Sequence, residues 1–193
     1  MATKADRYEG IDGLKAYAII GIALILTFVD PEILLFYARL LPCHEPCYVE
    51  RAFDTLEKTL GGVYEFQSML PIILTDRGSE FGKPDNLETN KDGIIRTSIY
   101  YCDPMSSGQK GCLEEAHTLL RMILPKGTLF TDLTQWDVRR IVNHMNSYAR
   151  KNLEGATPYQ LALKKYGPEI LEALQIKFIP PDEVILSPDL LKK

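Results

Sequence analysis

The sequence has few cysteines, a single tryptophan and no excess of positive charge, and each shortage narrows what the chain does. Its 193 residues include 4 Cys and 1 Trp, and 22 Lys and Arg stand against 26 Asp and Glu for a formal charge of −4. That balance excludes a protein that grips polyanions through bulk charge. Cys43, Cys47, Cys102 and Cys112 are too sparse for a disulfide scaffold. The opening residues MATKADRYEG lack the apolar stretch of a secretory signal, so free thiols in a reducing, cytoplasmic setting are the expectation. Cys43-His44-Glu45-Pro46-Cys47 has no second ligand pair at zinc-finger spacing and reads as a loop with buried thiols. The longest apolar run, Ala16 to Val29, falls short of the roughly 20 residues of a membrane-spanning helix. A membrane hairpin over Ala16–Leu41 is the weaker reading, and no membrane partner is expected.

With 46% hydrophobic and 25% charged residues, the chain has the composition of a folded globular protein. Charge is unevenly placed. Residues 94–151 hold eight Lys and Arg against five acids, whereas residues 1–93 hold nine against fifteen. A local basic surface on an acidic protein is therefore allowed.

The hydrophobic pattern predicts a first strand around Asp6–Gly10 and a turn at Ile11-Asp12-Gly13. A second strand over Ala16–Val29 and a third over Ile33–Leu41 meet at Asp30-Pro31. Val49, Ala52, Phe53, Leu56 and Leu60 recur at helical spacing over Tyr48–Leu60, and Gly61-Gly62 ends that helix. Strands follow at 70–75 and 97–102, separated by a polar loop with one helical turn. A helix over Leu113–Leu124 has its apolar face on Ala116, Leu120, Ile123 and Leu124 and a polar stripe on Glu114, His117, Thr118 and Arg121. Thr134 with Asp137 is a capping box for a longer helix, on which Arg139, Arg140, Asn143, His144 and Arg150 lie off the apolar stripe. A short helix at 158–166 and a Pro-rich surface tail from Ile179 complete the chain. Three leading strands, then strands with helices between them, is the order of a ribonuclease H-like α/β fold, a mixed sheet with helices on its faces.

Phosphoryl-transfer nucleases of that architecture bring acids from separate elements around two divalent cations about 3.5–4 Å apart. Asp6 on the first strand, Asp76 after the strand at 70–75 and Glu114 opening a helix are the candidates. Read alone, Asp76 in Thr-Asp-Arg-Gly is also a good turn former and Glu114 a good first-turn residue, and spacing does not choose between the readings.

Longer motifs carry a resemblance. Leu74-Thr75-Asp76-Arg77-Gly78-Ser79-Glu80-Phe81 resembles the second-aspartate motif of DDE transposases and integrases. Tyr100 to Gly111 (YYCDPMSSGQKG), followed by Glu114, resembles their third-acid motif. Leu124-Pro125-Lys126-Gly127-Thr128, Leu133-Thr134-Gln135, Asn146 to Arg150 (NSYAR) and Thr157-Pro158-Tyr159 narrow the match to the bacterial insertion-sequence-thirty transposase family. Asp6-Arg7-Tyr8-Glu9-Gly10 is similar to the segment that carries the first aspartate. The likeness is close over residues 70–190 and loose over 1–60.

The resemblance implies a catalytic core over residues 1–153 with a C-terminal helix and tail over 154–193. It implies Asp6, Asp76 and Glu114 as ligands of Mg²⁺, with Mn²⁺ as substitute, and strand cleavage and strand transfer at insertion-sequence ends. The expected partners are terminal inverted repeats, target DNA and further copies of the chain. Arg121, seven residues after Glu114, is the first phosphate contact expected, followed by Lys110, Lys126, Arg139 and Arg140. Asp12 is the second candidate for the first acid. Arg77 stands where the family usually has Asn, and Gly108 where an aromatic usually precedes Gln. The helix-turn-helix region that reads the inverted repeats in this family is not found, so a catalytic-domain fragment is expected, with an inactive remnant as the alternative.

Overall fold

A computed structural model describes residues 17–22, 24–43, 45–75, 78–101, 111–128 and 132–192. Its centre is a five-stranded sheet in the order β3-β2-β1-β4-β5. The strands are β1 (Tyr17–Ile22), β2 (Ile25–Val29), β3 (Phe36–Leu40), β4 (Ile72–Thr75) and β5 (Ser98–Tyr101). The first three form an antiparallel meander, and β4 and β5 add to β1 in parallel. The helices are α1 (Pro46–Leu60), α2 (Val63–Met69), α3 (Pro84–Glu88), α4 (Gly111–Ile123), α5 (Gln135–Ser147) and α6 (Pro158–Ala173).

The apolar run over Ala16–Val29 is not one strand but two, β1 and β2, paired with each other from Ala18 opposite Val29 to Ile22 opposite Ile25. At about 3.3 Å per residue a single strand of that length would run about 46 Å, far past partners of four to six residues. Folding back in the middle buries both halves. All five residues of β2 are buried, which requires cover on both faces of the sheet. The run that suggested a membrane hairpin thus makes up the meander, and among the described residues no helix is long and apolar enough to cross a membrane. The strand expected around Asp6–Gly10 lies outside the described residues.

Helix α1 buries the five residues its periodicity singled out, and Gly61 closes it with a φ of 111°, a left-handed conformation that favours glycine. Phe53 packs on Phe28 of β2 at 5.7 Å and on Phe66 of α2 at 5.9 Å between ring centroids. Cys47, expected to be buried, sits exposed in the first turn of α1, and Cys43, Cys47 and Cys112 are free thiols. On the chain's far side α6 runs past the expected stop at Tyr166. It kinks at Gly167 (φ 82°), and Pro168 begins a second helical stretch to Ala173. The tail is not wholly superficial either, since Leu190, 1% exposed, joins the same core as Ala162, Leu171, Leu174 and Ile176.

Three polar clusters fix how the elements meet. Arg96 is 1% exposed, just before β5. Its Nη1 donates to Asp54 Oδ1 at 2.8 Å and Glu57 Oε2 at 3.2 Å on α1, and its Nε and Nη2 donate to the carbonyls of Leu87 and Asn86. Its guanidinium lies 5.4 Å from the Phe53 ring centre. Asp30, at the β2–β3 turn, accepts from Lys165 Nζ at 2.9 Å and Tyr166 Oη at 2.6 Å, which ties α6 to the meander. Burial alone would raise the Asp30 pKa, but these bonds and the Glu32 N–H overcome it and hold the carboxyl below its usual range.

The third cluster is α5. Its capping box forms as expected, Thr134 Oγ1 accepting from the Asp137 N–H and Asp137 Oδ2 from the Thr134 N–H. At its far end Asn146 Oδ1 accepts from the Phe36 N–H at 2.8 Å while Asn146 Nδ2 donates to the Phe36 carbonyl at 2.7 Å. Near its start Gln135 Oε1 accepts from the Leu40 N–H. The free edge of the sheet is thereby occupied. Other polar residues of α5 accept from the tail: Asn143 from the Lys177 N–H, Ser147 from the Ile179 N–H, and His144 Nδ1 from the Ile185 N–H at 3.0 Å. His144, expected on the solvent side, is therefore buried; Arg150, past the end of α5, is buried too, its Nη2 donating to the Met145 carbonyl.

Two outcomes follow. Arg96→Met leaves Glu57 without its cation, Asp54 with Lys91 alone and two carbonyls without their donor, and should cost about 3–5 kcal/mol in urea unfolding; a cost below about 1 kcal/mol would mean that water replaces the guanidinium. Burial, and then the charge of Arg140, lower the pKa of His144 from its ordinary 6.5. Below about pH 6.5 the unfolded chain takes up a proton that the folded one resists, so stability should fall as pH drops through that region. His144→Gln, which keeps an acceptor, should lose part of the fall between pH 7.5 and 5.5 in the urea midpoint.

Candidate active site at the carboxyl ends of the parallel strands

In open α/β sheets the side chains that do chemistry gather where parallel strands end, beside the point where strand order reverses. Here β4 and β5 finish level with each other, Thr75 opposite Tyr101, and Thr75 is also opposite Ile19 of β1. Beyond β4 the motif is anchored by Phe81, fully buried in the turn Ser79–Phe81, whose carbonyl accepts from Tyr101 Oη at 2.6 Å. One phenol thus joins the segment after β4 to the end of β5. Thr75 is itself fully buried, and its Oγ1 has no hydrogen-bond partner among the described residues.

The chain returns from β5 to the sheet through α4. Leu113, Ala116, Leu120 and Ile123 press its apolar face inward, and the helix packs against β1 and β2. Glu114 sits in the first turn and points to solvent, as the polar stripe predicted. Arg121 lies exposed on the same stripe, two turns or about 10 Å further along. Lys126 is exposed in the turn after the helix. The neighbouring Glu115 accepts from Asn152 Nδ2 at 3.2 Å, just past the end of α5.

Of the three expected acids the structure describes Glu114 only. Asp6, Asp76, the second candidate Asp12, and also Arg77 and Lys110, lie outside the described residues. The strand that pairs with β4 on the meander side is Tyr17–Ile22, which begins eleven positions after Asp6 and carries no carboxylate. Among the described residues no three His, Cys, Asp or Glu side chains cluster as a metal site. Glu114, a hard oxygen donor without an ion-pair partner among the described residues, is suited to Mg²⁺.

Arg139 and Arg140 line a groove that does not include Glu114. They lie near the start of α5, Arg139 bonded to Gln175 and Arg140 stacked on Trp136 with its guanidinium 4.6 Å from the ring centre. Trp136 belongs to none of the motifs; its mark in the sequence is a tryptophan two residues after the helix cap, off the apolar stripe. The docking of the tail on α5 left no local signal, because its acceptors are ordinary polar side chains and its donors are backbone groups.

Comparison with known proteins agrees with this architecture. The chain is 33% identical over 141 residues to a putative integrase of Spiroplasma virus SpV1-R8A2 B, spanning 72% of this chain and 41% of that protein. It is 33% identical over 87 residues to the transposase InsI of insertion sequence element IS30A from Escherichia coli strain K12, covering 45% of this chain and 21% of the other. The chain is a homologue of the IS30-type transposases. This homologue is also 38% identical over 86 residues to the transposase of IS1086 from Cupriavidus metallidurans, 45% of its own length and 24% of that protein's. It therefore spans well under half the length of these relatives. Among solved structures it resembles the catalytic core domain of BIV integrase, with a TM-score of 0.55 and 17% identity over 78% of this chain and 95% of that one. That likeness establishes the ribonuclease H-like fold of integrase cores. No protein-family model matches the transposase homologue.

The buried Thr75 hydroxyl, without a partner among the described residues, gives a local test. If it serves nothing, Thr75→Val should stabilise the protein by about 1 kcal/mol, since an unsatisfied polar atom is removed at constant shape. A loss of stability, read by thermal unfolding, would show that the hydroxyl is bonded across the end of β4.

Proposed function

We propose that the chain is the catalytic domain of a DDE transposase, cutting DNA at insertion-sequence ends and transferring the strand. The observation that carries this is Glu114, exposed on the first turn of α4 in an integrase-core fold, within a chain homologous to transposases. On this reading Asp76, just after β4 in sequence, and Glu114 of α4 act with a first acid from the segment before β1, Asp6 first and Asp12 next. Paired Mg²⁺ ions, when bound, activate the attacking oxygen and stabilise the leaving 3′-oxygen. The chain's own part is to supply the carboxylates that hold them. Arg121 on the Glu114 stripe, with Lys126 beyond it and Lys110 before the helix, contacts phosphate and sets the duplex along α4. Terminal inverted repeats, target DNA, self-association on paired ends and a cytoplasmic setting belong to the same reading.

A second reading, an inactive remnant that keeps the fold and binds DNA or a partner, is favoured by the absence of any acid on β1 and by Arg77 beside Asp76. The two separate in one experiment. With an end-labelled insertion-sequence terminus and Mg²⁺ or Mn²⁺, the native chain should nick the DNA. Asp76→Asn and Glu114→Gln should each lower the rate at least a hundredfold, with the melting temperature in metal-free buffer little changed. Mn²⁺ should raise the melting temperature of the native chain and not of these variants. No nicking and no metal-dependent shift would favour the remnant.

A further inference from the structure

We propose that the groove between the first turns of α5 and residues 175–178 binds an unpaired nucleic-acid strand, with Trp136 as its stacking platform and Arg140 and Lys177 as phosphate contacts. The inference deepens the transposase reading by adding a second strand site, in a groove whose lining does not include Glu114. Trp136 is 58% exposed, an unusual cost for the largest apolar side chain, and Arg140 lies over its ring at 4.6 Å. The same groove is lined by Arg139 and Lys177, and Glu172 is the one acid among its lining residues. Three cations against one carboxylate, on a protein whose formal charge is −4, make this a local polyanion surface. Its framework is fixed. Arg139 bonds Gln175, the Lys177 N–H donates to Asn143, and the Tyr159 and Phe178 rings pack at 5.4 Å.

An exposed indole beside cations matches sequence-tolerant binding of single strands, where bases stack on aromatic faces and cations follow the backbone. A duplex keeps its bases inside and offers no face to Trp136. The placement also fits. Glu115, next to Glu114, is bonded by Asn152 just past the end of α5, whereas Trp136 is at the start of that 13-residue helix. The helix is about 20 Å long at 1.5 Å per residue. A strand freed by cleavage near Glu114 would have to cover about that length to reach the groove.

Trp136 is the chain's one tryptophan, so its fluorescence reports this site alone. The full chain would be titrated with a dye-labelled twelve-residue oligothymidylate and with a twelve-base-pair duplex, in EDTA. The single strand should quench Trp136, and log affinity should fall against log salt with a slope of about −1.4, from two phosphate contacts at about 0.7 each. Trp136→Leu should weaken binding by anisotropy about tenfold while Trp136→Phe keeps most of it, and Arg140→Gln or Lys177→Gln should each flatten the slope by about 0.7. Single-strand binding without quenching and unaffected by Trp136→Leu would overturn the proposal, and so would equal quenching by the duplex. Glu114→Gln separates the two readings, since it should abolish nicking of an insertion-sequence terminus and leave oligothymidylate binding unchanged. Quenching without nicking by the native chain would refute the catalytic reading alone; nicking without quenching would refute the groove alone.

Discussion

The sheet stops at β3, and the amide of Asn146 is what lets it stop. An edge strand presents backbone donors and acceptors that must find partners. Asn146 supplies both to Phe36, and Gln135 supplies an acceptor to Leu40 from the other end of α5. With the edge strand bound to a helix instead of another strand, α5 is fixed in angle and depth. Everything placed by α5 then follows. Asn143, His144 and Ser147 receive the backbone of the tail, which brings Leu190 into the core against α4. The one helix thus connects the sheet, the tail and the helix that bears Glu114.

Arg96 does comparable work at the opposite edge, before β5. Its cation is costly to bury, and it is kept because two carboxylates of α1 and two carbonyls near α3 surround it. The connection between β4 and β5 is thereby held to α1, and the two strands end side by side at Thr75 and Tyr101. The position of the site depends on a buried cation that never approaches it.

The regular parts of this arrangement were legible because one physical signal sufficed for each. The apolar stripe of α1, the Thr134–Asp137 box and the polar stripe from Glu114 to Arg121 all stand in the structure. The reversal between β1 and β2 was not legible, because Ala23-Leu24 carries none of the residues that mark a turn. The fate of His144 was hidden for another reason. A helix face that receives irregular backbone looks, in sequence, like a face that receives water. The motifs were readable as motifs but not as parts: Phe81 is an anchor under the segment after β4, and Asn146 is a clasp on the sheet edge. At the site, Glu114 was legible from helix periodicity, while the first acid rests on resemblance, since β1 has no carboxylate of its own.

The clasp between Phe36 and Asn146 joins residues 110 positions apart. On a ribosome adding about 5–20 residues per second, β3 leaves synthesis some 5 to 20 seconds before the side chain that covers it exists. Through that interval the nascent meander offers an open, apolar edge to any neighbouring strand. Asp30 waits still longer for Lys165, 135 positions away. Crowded polysomes and overexpression should therefore trap this chain as aggregates more readily than the stability of its finished form suggests, and a nascent-chain chaperone that shields strand edges should raise its yield.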